Sequence, residues 1–92
     1  MDTLERDEAE DKAFFKDTLS KEKNPKRIAD RLTQRYAAKY SHEFRGVMKV
    51  ETDPFGKWWT LWCGKDKKIT FDQYEMKEIP ERIRFFRELA RK

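Results

Sequence analysis

Catalysis needs a nucleophile, an acid, a base or a metal ligand, and such groups are sparse here. The chain has one histidine, His42, and one cysteine, Cys63. A Cys/His nucleophilic pair also requires an orienting third group and an oxyanion donor, and the sequence offers no candidate for either. His42 reads as a solvated residue just past a helix, and Cys63 as a small buried side chain at a strand end. Two soft ligands do not make a structural zinc site. Gly46, Gly56 and Gly64 are isolated, so there is no glycine-rich phosphate loop. The acidic run DEAED at 7–11 lacks the glycine and the ligand rhythm of a calcium loop. The expectation is a protein that is not an enzyme, with no catalytic residue, metal or cofactor.

The unusual residues are aromatic instead. Residues 57–63 read KWWTLWC, which places Trp58, Trp59 and Trp62 close together in a chain that is 43% charged and 37% hydrophobic. Aromatics make up 14% of the chain, more than a disordered sequence carries. At 92 residues the chain is at most one domain with a modest core.

The elements that must position these rings follow from periodicity. Residues 2–22 carry a thin apolar stripe in their second half only (Phe14, Phe15, Leu19), so the first dozen read as fraying. Asn24-Pro25 is a strong helix start. Ile28, Leu32, Tyr36 and Tyr40 then recur at i+4 steps, with Lys26, Arg27, Arg31, Arg35 and Lys39 around the rest of the helix. After Ser41-His42 the period drops to two. FRGVMKVE (44–51), KWWTLWC and KKITFD (67–72) read as three strands joined by turns at Asp53–Gly56 and Gly64–Asp66. PERIRFFRELARK reads as a last helix with Glu81 near its start and Arg91 near its end, the polarity the helix dipole favours. The expected fold class is α+β, in the order α-α-β-β-β-α. The expected organisation is an acidic, helical or frayed segment at 1–23 and a single basic domain at 24–92.

Alternation divides the tryptophans. Trp59, Leu61 and Cys63 fall on one face, expected to lie with Met48, Val50, Ile69 and Phe71 beneath the helices. Trp58, Thr60 and Trp62 fall on the other, with Arg45, Val47 and Lys49 from the first strand and Lys68 and Thr70 from the third. An uncovered sheet with aromatic rings among cations suits single-stranded or looped nucleic acid, the bases stacking while Lys and Arg hold phosphates. The candidate contacts are Trp58, Trp62, Arg45, Lys49, Lys57 and Lys68, joined by Arg27, Arg31 and Arg35 from the basic helix. Neutralising six phosphates would give a log–log salt slope of about −4 to −5. The same face also fits a protein interface, where Trp and Arg are enriched. On that alternative the chain is a small regulator, inhibitor or accessory subunit docking on a larger assembly, or a homo- or heterodimer.

R-G-V-M-K (45–49), the Gly56-Lys57 turn, the Asp66-Lys67 turn and F-x-x-L at Phe86 and Leu89 resemble the small Alu-domain proteins of the signal recognition particle, the nine- and fourteen-kilodalton type. That resemblance, over residues 44–90, implies an α-β-β-β-α fold, no catalysis and RNA against Arg45, Lys49, Lys57 and Lys68. FRGV (44–47) with PFGKWW (54–59) is also similar to the opening of an AP2-type DNA-binding domain. That second resemblance implies Arg45, Lys57, Trp58 and Trp59 at or near DNA-facing strands.

Charge is unevenly spread. Residues 1–24 hold eight acidic and five basic side chains, and residues 25–92 hold ten and seventeen, so the body carries +7 against −3 on the first segment. Such a body favours polyanionic partners. No run approaches the roughly 18 apolar residues of a membrane span. A lone cysteine and an acidic N-terminus without signal-peptide order point to a cytoplasmic, nuclear or host-cell location rather than secretion.

Overall fold

The computed structural model describes residues 2–91. In chain order come α1 (Thr3–Lys21), α2 (Pro25–Tyr40), a short 3-10 helix (Ser41–Phe44), β1 (Met48–Thr52), β2 (Trp58–Cys63), β3 (Lys68–Asp72), a 3-10 turn (Met76–Glu78) and α3 (Ile79–Ala90). The fold is α+β in the expected order. The strands form an antiparallel meander with β2 in the centre.

α2 starts where the sequence says it must. The Asn24 side chain accepts from the Arg27 amide at 3.1 Å, and Pro25 fills the first turn. Its i+4 stripe of Ile28, Leu32, Tyr36 and Tyr40 is buried. The helix packs chiefly on β1. There the Thr33 hydroxyl donates to the Val50 carbonyl at 3.0 Å and accepts from the Val50 amide at 2.8 Å. It thereby satisfies both backbone groups that Val50 turns away from β2.

The core joins Phe15 of α1, the α2 stripe, Phe44, Met48, Val50, Trp59, Leu61, Cys63, Phe71, Met76, Ile79 and Ile83. The expected inner face of the sheet is therefore realised, with Ile69 only partly buried at its margin. Trp59, 2% exposed, donates its indole N–H to the Gly56 carbonyl at 2.8 Å. Gly56 has φ 71°, and a Cβ there would meet Pro25 Cγ at 2.9 Å. Only glycine lets this turn lie against the start of α2.

Two expectations change. The first strand was expected from Phe44 but begins at Met48. Phe44 closes a 3-10 turn, and Arg45 (φ 54°) and Gly46 (φ 83°) both take left-handed backbone, which breaks the alternation. The first dozen residues, expected to fray, are helical from Thr3. Their acids dock on the other helices. Asp11, 2% exposed, accepts from Tyr40 Oη at 2.6 Å and Lys39 Nζ at 2.9 Å, while its carbonyl accepts from Tyr36 Oη at 3.0 Å. Glu8 meets Arg84 at 2.8 Å, and Asp7 meets the buried Arg87 at 3.0 Å. Arg87 also lies 3.0 Å from Glu43, with its guanidinium 4.3 Å from the Tyr40 ring centroid. A buried arginine is stable only when paired in this way.

On α3, Ile79 and Ile83 are buried and Phe86 is partly so, but Phe85 and Leu89 point to solvent. Among the described residues, no helix is long and apolar enough to cross a membrane.

Candidate binding surface

The outer face of the sheet is built in rows by strand register. Lys49, Trp62 and Lys68 form the first row, Glu51, Thr60 and Thr70 the second, and Trp58 with Asp72 the third. In the first row both ammonium groups sit over the indole, Lys49 Nζ at 5.3 Å and Lys68 Nζ at 5.1 Å from the Trp62 centroid. Each contact contributes about 0.5–1 kcal/mol where water has access. Trp62 is half-buried, and its Nε1 has no acceptor among the described residues. Lys49 is shared with Glu51 at 3.5 Å. In the second row the Thr60 and Thr70 hydroxyls meet at 3.3 Å.

The third row ends in two turns that each hold an aromatic ring out in water. Asp53 Oδ1 accepts from the Lys57 and Trp58 amides at 2.7 and 2.8 Å, and Oδ2 accepts from the Phe55 amide at 3.1 Å. The bond from the Trp58 amide is the largest cause holding the Asp53 carboxyl below its ordinary range. At the other turn Asp72 Oδ1 accepts from the Tyr74 and Glu75 amides, each at 2.8 Å. These Asx-type turns fix the backbone on either side of Trp58. Phe55, Trp58 and Tyr74 are 79%, 58% and 76% exposed, and the register brings all three to one end of the sheet. Trp58, without the other two rings, lines a cleft of about 310 Å³ together with Glu51, Thr52, Asp53, Thr60, Trp62 and Lys68.

The nine residues singled out from the sequence lie on three surfaces. Lys49, Trp58, Trp62 and Lys68 share the outer face, and Lys57 sits at the turn leading into it. Arg27, Arg31 and Arg35 run along the flank of α2 opposite Thr33. Arg35 covers the Phe14 ring of α1 at 5.0 Å, and Arg27 and Arg31 lie close enough to Glu22 to help lower its pKa. Arg45, expected on the first strand, precedes β1 and lines a separate cleft with Phe44, Val47 and Phe86.

Phe55 and Tyr74 were not among the expected site residues. The available signal was an aromatic two positions after a turn-forming aspartate, in DPF and DQY, where a ring has no neighbour to bury it. His42 is exposed. Cys63 is buried, which pushes its thiol up to about 12. Among the described residues no group of three His, Cys, Asp or Glu side chains could hold a metal.

No protein-family model matches the chain, and no curated protein and no solved structure matches it, so the reading of this surface rests on its own geometry.

Proposed function

We propose that the chain is a non-enzymatic binding module, an accessory or regulatory protein that docks a protein partner on the Phe55–Trp58–Tyr74 end of its sheet. The observation that carries this reading is the exposure of three large rings at one end of the sheet, two of them held at Asx-type turns. Water-exposed apolar clusters of this kind are uncommon on a monomer, and Trp and Tyr are favoured anchors in protein interfaces. The charge around them supports a protein over a polyanion. Asp53, Asp72 and Glu75 sit at the turns beside the rings, against Lys57 alone.

The test places a photo-crosslinking benzoylphenylalanine at position 55 or 74 and, as a control, at the exposed position 16 on α1, in the host of origin. One discrete protein adduct from 55 and 74 but not from 16, lost on Trp58→Ala, is the expected result. An interface anchor of this type loses about 2 kcal/mol or more on truncation, roughly a thirtyfold drop in affinity. Adducts to nucleic acid, or none, would overturn the proposal.

Single-stranded nucleic acid is the second reading, favoured by the Lys49–Trp62–Lys68 row. Only Lys49, Lys57 and Lys68 are then available as phosphate contacts near the face, so the log–log salt slope falls to about −2. Fluorescence anisotropy against single-stranded RNA, an RNA hairpin and duplex DNA across a salt series distinguishes the two. Micromolar binding with that slope supports the nucleic-acid reading, and equal weak binding to all three supports the protein partner.

A further inference from the structure

At the opposite end of the sheet from Trp58 lies a second cleft, of about 440 Å³, lined by Phe44, Arg45, Val47, Cys63, Lys67 and Phe86 among others. We propose that it binds a small amphiphilic anion, a carboxylate, sulfonate or phosphate monoester carried on an aryl or acyl body. The volume lies within the range of small-molecule sites, about 300–1,000 Å³.

Its two kinds of wall select the two halves of such a ligand. The apolar wall is Phe44, Val47, Cys63, Phe86 and Ala90, brought together by the 3-10 turn, the start of β1, the end of β2 and the last turns of α3. The rim carries Arg45, Lys65 and Lys67, none of which forms an ion pair among the described residues. Of the two carboxylates at the cleft, Glu43 is already committed. It accepts from Arg87 Nε at 3.1 Å and lies 3.8 Å from Arg91. Among the described residues Asp66 is left as the one unpaired acid at the cleft, against three unpaired cations.

Arg45 supplies an independent reason. Its backbone is left-handed, φ 54° and ψ 37°, a conformation glycine takes freely and other side chains take only at a cost. Its guanidinium has no hydrogen-bond or ion-pair partner among the described residues to offset that cost. The fold thus keeps a long cation at a strained position on the rim, as binding sites do when the strained side chain serves a ligand. An inorganic anion would use the rim alone and leave the apolar wall wet, so the ligand must carry its own apolar surface.

The test titrates the full, isotope-labelled chain with anilinonaphthalene sulfonate and with decanoate, followed by amide chemical shifts, beside decanol and inorganic phosphate. Saturable shifts at 45–47, 64–67, 86 and 90, with Phe55, Trp58 and Tyr74 unmoved, are expected. Decanol should bind at least tenfold more weakly than decanoate, and Lys65→Glu with Lys67→Glu should weaken decanoate at least tenfold. Ala90→Trp, at an exposed helix position, should fill the cleft and remove binding while the melting temperature holds. Arg45→Gly should weaken decanoate several-fold while raising the melting temperature, because strain and cation leave together. Equal shifts with inorganic phosphate, equal affinity for decanol, shifts at the Trp58 end, or an unchanged affinity in the double charge reversal would each overturn the proposal. The moved residues are disjoint from the aromatic end, so this result stands or falls separately from the docking surface.

Discussion

Trp58 and Trp59 are neighbours in the chain with opposite fates, and their substitution separates surface from core. Trp58→Ala is expected to change folding free energy by no more than about 0.5 kcal/mol, since an exposed ring gives up little on truncation. Trp59→Ala removes a buried ring and the bond to Gly56, and should cost about 3–5 kcal/mol. Urea midpoints at equal m-values check both; a loss at Trp58 approaching that at Trp59 would mean its ring is covered. This division was legible in the sequence because alternation assigns faces wherever one face is buried. The sequence did not show which outer ring would remain free. Trp62 has lysines from both neighbouring strands laid over it, a cross-strand contact that exists only once register is known.

Among the elements, α2 was the easiest to read, with a cap, a proline and an unbroken apolar stripe agreeing over its whole length. β1 was the hardest. FRGVMKVE satisfies period two throughout, yet its first half forms a turn, because Phe44 can reach the core from a 3-10 helix as well as from a strand. The joint between α2 and β1 makes a specific prediction. Thr33→Val keeps the shape of the side chain but strips both hydrogen bonds from Val50, leaving a donor and an acceptor unpaired against the helix. The expected cost is about 1–3 kcal/mol, with Thr33→Ser recovering most of it. Amide exchange at Val50 should accelerate in the valine variant; unchanged protection there would show that water or a shifted helix replaces the hydroxyl.

For the molecule as a whole, the acidic helix is the tie that closes the chain on itself. Glu8 and Arg84 are 76 residues apart, and Asp7 and Arg87 are 80 apart, so no local pattern could reveal that these charges meet. Their pairing also sets two acids of the first segment against two cations of the +7 body, so the two charge blocks counted along the chain are not separate surfaces. Hydrogen bonds from Arg84 and then Lys12 hold the Glu8 carboxyl below its ordinary value of 4.5. A carboxyl lowered on folding adds stability that is complete above its unfolded value and is lost as pH falls through its folded one. Glu22 and Asp53 shift the same way, the first through the Asn24 amide and the second through the Trp58 amide. Stability should therefore fall from about pH 5 to pH 3, and the fall should be shallower in Arg84→Gln. Denaturation midpoints at four pH values measure this, and parallel curves for the two proteins would refute the role given to Arg84.

The hydroxyl of Thr33 has one more effect, on how copies of the chain meet. An open sheet has two borders at which a foreign strand can be added, and α2 occupies the one along β1. Growth of cross-β aggregates, or capture of an extended peptide by strand addition, is thereby confined to the outer border of β3. That border carries the charged Lys68 and ends at Asp72, whose amide is taken by Glu75, which keeps its usable length to a few residues.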